Sequence, residues 1–266
     1  MTRRKFLKNL AASGFVSGWT PELWSAMPVR PAEQTILLGG TAFALGMALA
    51  RPTESLVVER GVVLAPEFTL TAGFSRLGAA TSEIGRELCA QARRCGLLQG
   101  DRIELPPFSD FLASFFSLRG GRCLLETELI SVERQNGSWQ VGLFPLAIGG
   151  LVMTEAADFL DTTDLAWRNL GLDAVSSRHL GAMAREGDIA VELPAATTWR
   201  EGRLRLFEEA ESKMGRTIIS EYAAFKTRYV DSKVGRRMSA GYWWNPSAQY
   251  GTFMEAFEAG YAWTMM

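Results

Sequence analysis

The sequence predicts an α/β fold in which helices cover a parallel sheet and a small antiparallel β-meander is attached. Three observations support this prediction. A β-suited run at residues 34–38 leads through a glycine turn into a helix-suited run, and a second β-suited run follows at 54–59. Asn136-Gly137 separates two further β-suited runs, as in a tight hairpin. Apolar residues recur at helical spacing in other segments.

The first unit decides the topology. The apolar run at residues 36–50 is 15 residues long, whereas a membrane-spanning helix needs about 20. Gly39-Gly40 divides this run into a strand and a helix, so we expect no integral membrane segment in the body of the chain. The segment 54–59 then completes a strand-helix-strand unit, which implies parallel strands.

Two helices are expected next. Ser82 is suited to cap the first, and the second begins at Phe108. Their apolar positions are Ile84, Leu88, Ala92 and Cys95 in the first helix, and Phe108, Phe111, Leu112, Phe115 and Phe116 in the second. The phenylalanine stripe favours packing onto the sheet over contact with a membrane or a partner.

Strands are expected at 123–125 and, on either side of the Asn136-Gly137 turn, at 129–134 and 139–143. The segment 151–160 leads into a polar cluster that closes a strand. The strands at 123–125, 129–134 and 139–143 form the predicted antiparallel meander.

The remaining chain predicts helices. The polar cluster at 161–164 is expected to begin a helix at Leu165. A long helix is predicted by Leu204, Phe207, Met214, Ile218, Tyr222 and Phe225, and a terminal helix by Tyr250, Phe253, Phe257 and Tyr261. Without a repeat or an obvious linker, residues 34–266 are expected to form one composite domain after a leader at 1–33.

The leader resembles a twin-arginine export signal. Arg3-Arg4 lies in a basic cluster followed by a weakly apolar stretch of small residues, and residues 1–33 carry five basic and two acidic side chains. The resemblance implies the twin-arginine export machinery as a partner and a bacterial periplasmic location. The alternative is the basic start of a cytoplasmic protein. Residues 24–28 contain no clean Ala-x-Ala site, so both cleavage of the leader and its retention as an anchor stay open.

Composition excludes several classes of function. With 28 Lys+Arg against 29 Asp+Glu, the chain of 266 residues has no general basic field, so we expect no nucleic-acid partner. The three cysteines are an odd number without Cys-x-x-Cys spacing, which excludes a disulfide framework and favours buried small hydrophobes. His179 is the only histidine, and no cluster has metal-ligand spacing, so we expect no metal site and no serine triad. No catalytic residue is identified.

The glycine turn carries the main chemical signal. A tight turn between a strand and a helix lets the backbone approach a phosphate, which the free N–H groups of the helix stabilise. With Gly39 as the first position of G-x-G-x-x-G, Thr41 and Ala44 replace the second and third glycines. Glu59 follows 20 residues after Gly39, where a carboxylate accepts hydrogen bonds from a ribose.

These segments resemble the FAD-dependent oxidoreductases of the doubly wound flavoprotein group. The resemblance is carried by residues 35–40, by 56–60, by the strand end at 159–164 and by the closing helix around 259–262. It implies a Rossmann-like FAD/NAD(P)-binding fold, FAD as cofactor and a redox reaction on an unknown small-molecule substrate. Family members are usually longer because they also contain a substrate-binding domain.

The resemblance also implies the site. Gly39, Gly40, Thr41 and Ala44 would face the pyrophosphate of the dinucleotide. Glu59, followed by Arg60, would contact the adenosine ribose. The same pocket would be supported by Asp161 and Thr162.

Two alternatives remain open. The first is a non-catalytic exported protein that keeps the nucleotide-binding fold as a scaffold, because Thr41 obstructs the glycine turn and little chain remains for a substrate domain. The second is an NAD(P)-dependent enzyme similar to the short-chain dehydrogenases. It rests on Tyr222 and Lys226, which would lie one helical turn apart, so that the lysine lowers the tyrosine pKa for proton transfer.

Overall fold

A computed structural model provides the structure of the chain. It describes residues 33–69, 75–104, 107–163, 175–184, 189–194, 197–213, 215, 217–222, 227–229, 236–239 and 242–263. The twin-arginine motif and the helix expected at Leu165 lie outside these residues.

The regular elements are numbered in chain order. The strands are β1 (Glu33–Leu38), β2 (Ser55–Val58), β3 (Leu98–Gln99), β4 (Arg102–Ile103), β5 (Cys123–Leu124), β6 (Thr127–Gln135), β7 (Ser138–Pro145), β8 (Val152–Asp161), β9 (Val175–Ala184), β10 (Ile189–Pro194), β11 (Ile218–Tyr222), β12 (Thr227–Tyr229), β13 (Arg236–Ser239) and β14 (Tyr242–Trp244). The helices are α1 (Ala42–Ala50), α2 (Pro66–Thr69), α3 (Glu83–Arg94), α4 (Pro107–Leu118), α5 (Trp199–Ser212) and α6 (Phe253–Tyr261).

The main sheet confirms the predicted α/β class. Its central strands run in the order β14-β8-β1-β2-β5, and all four of these neighbouring pairs are parallel. The antiparallel strands β6 and β7 join this sheet because β7 also pairs with β8. Strand β13 pairs antiparallel with β14 at one edge of the sheet. Asn136 and Gly137 have positive φ of 51° and 90°, as the tight hairpin requires.

Strand β1 separates two hydrophobic clusters because its side chains alternate between the faces of the sheet. Leu37 packs on one face with residues of α1, α3, α4 and α6. Ile36 and Leu38 pack on the other face against the meander. The phenylalanine stripe of α4 is largely buried in the helical layer, where Phe108 packs edge-on against Phe253 of the terminal helix.

A second sheet follows the first. Strand β9 pairs antiparallel with β10, β11 and β12, and α5 packs over them. This arrangement corrects the predicted long helix: α5 ends at Ser212, and residues 218–222 form β11. Gly215 lies between them with φ of +69°, a left-handed conformation that an α-helix cannot continue through. The β-branched pair Ile218-Ile219 then favours a strand.

Helix α1 and the terminal helix α6 cross with their backbones in contact. A Cβ atom at Gly46 would overlap the carbonyl oxygen of Phe257, and one at Gly260 would overlap that of Phe43. The crossing fixes the C-terminal helix beside the glycine turn. Tyr250, which the sequence placed on this helix, precedes it. In the described part of the chain, no helix is long and apolar enough to cross a membrane.

We predict that Gly260→Ala destabilises the fold. Alanine is the better helix former by about 1 kcal/mol, but its methyl group would force the two backbones apart, and overpacking costs about 1–3 kcal/mol. Urea unfolding should therefore show a lower free energy of unfolding. Gly150→Ala is the matched control, because no atom lies within 4 Å of its added Cβ. An unchanged or raised stability of the Gly260→Ala protein would contradict the crossing.

Candidate functional site

The structure brings most of the predicted site residues together at the carboxyl ends of β1, β2 and β8. Gly39 has a φ of +94°, and an added Cβ would lie 2.9 Å from the Thr162 hydroxyl oxygen. A Cβ on Gly40 would lie 2.9 Å from the Glu59 Cβ. Both positions therefore require glycine, but the space above them is filled by side chains of the protein itself.

Thr41 begins helix α1. Its hydroxyl oxygen accepts a hydrogen bond from the Ala44 N–H at 3.2 Å, as an N-cap residue does. The same hydroxyl donates to the Thr162 hydroxyl at 2.8 Å, which in turn donates to the carbonyl of Leu38. Thr41 is 7% exposed and Thr162 is fully buried. Threonine at the position of the second glycine of the motif therefore caps helix α1 with its own side chain.

The other amides of this helix start are bonded to two residues that the sequence analysis did not identify. The Ala42 N–H donates to Glu67 Oε1 at 2.8 Å, and the Phe43 N–H donates to the Ser247 hydroxyl at 3.3 Å. Ser247 Oγ also donates to Glu67 Oε1 at 2.6 Å. Pro66-Glu67 has the composition of a helix start, and this was the only local sequence signal at Glu67. Nothing in the sequence around Ser247 linked it to α1.

Glu59 is folded onto the turn. Its Oε2 accepts a hydrogen bond from the Gly40 N–H at 2.6 Å, and its Oε1 accepts one from the Gly61 N–H at 2.5 Å. The side chain is 8% exposed. The carboxylate predicted to contact a ribose therefore closes a loop of its own chain. Arg60 points elsewhere, because it is exposed and its Nε lies 2.7 Å from Glu128 Oε1.

Asp161 ends β8 and is also turned inward. Its Oδ1 accepts hydrogen bonds from the backbone N–H of Thr163 at 2.9 Å and from the Thr163 hydroxyl at 2.6 Å. The indole N–H of Trp244 donates to the Thr163 carbonyl at 3.0 Å, which ties β14 to this strand end. Asp161 is fully buried, so it stabilises the loop beside the turn.

The Tyr222–Lys226 hypothesis required a helix. Tyr222 instead ends strand β11, and Lys226 lies outside the described residues. A strand at Tyr222 does not provide the helical turn on which this hypothesis depended. His179 belongs to β9, and no group of three potential metal ligands occurs among the residues that the structure describes.

Comparisons with known proteins identify the fold. No family model and no curated protein matches the chain. It is similar to a flavoprotein/dehydrogenase from Cytophaga hutchinsonii (12% identity, TM-score 0.53), covering 87% of this chain and 76% of that one. It is also similar to the glycerol-3-phosphate dehydrogenase from Bacillus halodurans complexed with FAD (10% identity, TM-score 0.55), covering 85% and 63%. A third similar structure is the rebeccamycin biosynthetic enzyme RebC with reduced flavin (15% identity, TM-score 0.52), covering 87% and 59%.

These similarities show that the chain has the Rossmann-like fold of FAD-dependent flavoprotein oxidoreductases. The chain spans less than two thirds of the length of the last two structures. Fold alone does not transfer their cofactor or activity, which are properties of a site.

The described residues of the turn do not fit a bound dinucleotide in this arrangement. A pyrophosphate binds at such a turn through N–H groups that point into open space. Here the N–H groups of Gly40, Ala42, Phe43 and Ala44 donate to Glu59, Glu67, Ser247 and Thr41, respectively. The Glu67 carboxyl lies on the helix start, where it would repel a phosphate. The turn is therefore built as part of the protein core.

The three thiols should differ in reactivity. Cys95 is exposed, which corrects the expectation that it is buried, whereas Cys89 is buried. Burial, followed by the nearby Glu59 carboxylate, raises the pKa of Cys123 to about 12, and burial also raises that of Cys89. A thiol with a raised pKa stays protonated near pH 8 and reacts slowly. We therefore expect Ellman's reagent to label one of the three thiols rapidly.

Cys95→Ser is the control for this assignment. The variant should lose the rapid labelling phase, and denaturant should expose the two remaining thiols in both proteins. Rapid labelling of the folded Cys95→Ser protein would contradict the low reactivity expected of Cys89 and Cys123.

Proposed function

We propose that this chain is an exported protein that keeps the flavoprotein fold as a scaffold and performs no flavin-dependent redox reaction. The observation that carries the proposal is the closed start of helix α1. Four backbone N–H groups of the turn and first helical residues donate to side chains of the chain itself. A cofactor phosphate would have to displace these side chains.

Displacement would be unfavourable for two reasons. Hydrogen bonds to charged groups contribute about 1.5–3 kcal/mol each. A buried acceptor that loses its donor is also left without a partner to offset the cost of removing it from water. Two carboxyl groups, those of Glu59 and Glu67, would meet a further anion in a region where Gly40 and Ala44 are buried. The same contacts that stabilise the turn therefore oppose a dinucleotide.

The second candidate function is that of an FAD-dependent oxidoreductase acting on a small molecule. It is supported by the similarity to flavoproteins, one of which is a structure complexed with FAD. In this candidate, Gly39, Gly40 and Thr41 would face the pyrophosphate and Glu59 the ribose. Residues 61–69 would have to leave the turn before FAD entered.

Purified protein distinguishes these two candidates. Under the scaffold proposal, protein folded in the bacterial cytoplasm is colourless, and incubation with excess FAD followed by gel filtration leaves no flavin absorbance with the protein. The Bacillus halodurans dehydrogenase, treated in the same way, is the positive control. About one equivalent of retained flavin would overturn the scaffold proposal and establish the second candidate.

Export forms the other part of the proposal. It is supported by Arg3-Arg4 in the basic leader, which resembles a twin-arginine signal. The receptor of such a signal reads the arginines themselves, so replacing both with lysine retains the charge but removes the motif. We expect the Arg3→Lys/Arg4→Lys protein to stay in the cytoplasmic fraction of a twin-arginine-competent bacterium, while the unaltered chain reaches the periplasm.

Lys5→Arg/Lys8→Arg is the matched control, because it changes two neighbouring cations and leaves the arginine pair intact. Its periplasmic fraction should equal that of the unaltered chain. Equal export of the double-lysine variant would contradict the twin-arginine assignment.

A further inference from the structure

We propose that Glu67 is an intramolecular replacement for the phosphate of a dinucleotide, a hypothesis that rests on the scaffold function proposed above. The anion-binding start of helix α1 is retained, and a carboxyl group of the chain binds there. Removing that group is then expected to recreate a binding site for pyrophosphate. In this proposal Glu67 occupies the N–H groups that a phosphate would otherwise bind, so that the helix start is part of the protein core.

The position of Glu67 supports this role. The start of a helix carries a partial positive charge and N–H groups without partners in the helix. Helix α1 has no acidic residue in its own first turn. Glu67 supplies the acid from another element, with Oε1 at 2.8 Å from the Ala42 N–H. Ser247 extends the contact, because its hydroxyl accepts from the Phe43 N–H and donates to Glu67.

The segment that carries Glu67 is anchored to the glycine turn. The Ala65 N–H donates to the Gly40 carbonyl at 2.5 Å, and the Leu64 side chain packs over Gly40. The Thr69 hydroxyl bonds to the backbone at the start of the short helix α2. Phe68 is buried and packs edge-on against Phe253, with ring centroids 6.0 Å apart. The carboxyl group is therefore delivered by a segment packed in the core.

A second helix start uses the same chemistry. The carboxyl group of Glu258 accepts hydrogen bonds from the backbone N–H groups of Thr81 and Ser82 and from both of their hydroxyls, just before α3. Glu258 also comes from a distant element, α6. Carboxyl groups from distant elements thus bind the starts of α1 and α3, and of these two helices α1 is the one that follows the β1 glycine turn.

Thermal unfolding with inorganic pyrophosphate tests the proposal. The unaltered chain should unfold at the same temperature with and without millimolar pyrophosphate, because Glu67 is bound to the helix start. Glu67→Ala should unfold at a lower temperature without pyrophosphate and regain part of the loss with it, since a ligand of the folded state stabilises that state. We expect pyrophosphate to bind this variant at least about tenfold more tightly than the unaltered chain.

Two matched variants separate this effect from general loosening. Ser247→Ala removes a neighbouring hydrogen bond but leaves Glu67 on the Ala42 N–H, so it should lose stability without gaining pyrophosphate binding. Glu208→Ala removes an exposed carboxylate on α5 and should change neither property. Glu67→Gln keeps an oxygen acceptor and removes the charge, so it provides a folded comparison if Glu67→Ala does not fold. Pyrophosphate should stabilise Glu67→Gln more than the unaltered chain.

The outcomes are distinct. Retention of FAD by the unaltered chain would overturn the scaffold function itself. If the unaltered chain retains no FAD, and pyrophosphate stabilises neither Glu67→Ala nor Glu67→Gln more than Ser247→Ala, the scaffold function stands and the role assigned to Glu67 is wrong. A gain confined to the Glu67 variants supports the replacement.

Discussion

The structure depends on how the buried start of helix α1 satisfies its N–H groups. Residues Ala42 to Leu49 are all buried, so water does not reach the first turn. Buried N–H groups without partners are costly, and the first four amides of any helix have none within the helix. In a dinucleotide-binding protein a phosphate meets this need. Here these N–H groups donate to the side chains of Thr41, Glu67 and Ser247. The hydrogen bonds also hold the segments that carry these side chains against helix α1.

This requirement joins segments that are far apart in the chain. Phe43 and Ser247 are separated by 204 positions, and Thr41 and Thr162 by 121. Strands β8 and β14 end beside the turn, where their following residues form part of the same network. The crossing of α1 with α6 adds a steric constraint at Gly46 and Gly260. The glycine turn is therefore a junction of the tertiary structure, even though its sequence looks like a ligand-binding motif.

Retention of a fold and retention of its ligand are separate properties. The similar flavoproteins are 10–15% identical in sequence to this chain, yet TM-scores of 0.52–0.55 show that the fold is shared. The packing of β1 and α1 depends on apolar side chains and close backbone contacts. Cofactor binding depends on a few polar groups and open space, which a small number of substitutions and a short segment such as α2 can remove.

The sequence by itself determined the local elements. Residues 34–59 contain two β-suited runs, a glycine turn and an apolar helix-suited run, which form β1, α1 and β2. Asn136-Gly137 and Ser82 mark a hairpin and a helix cap through their own backbone preferences. Local pattern was misleading at 204–225, where helical spacing continued past Gly215 into residues that pair with β9. The pairing of β11 with β9 joins Ile218 to Ala184, so no local window of sequence contains it. The same limit applies to the site: sequence identified Gly39, Thr41 and Glu59, but Glu67 and Ser247 meet only in the folded chain. Their 180-residue separation carries no periodic signal, so only the tertiary structure decided that this turn binds the chain's own carboxyl group.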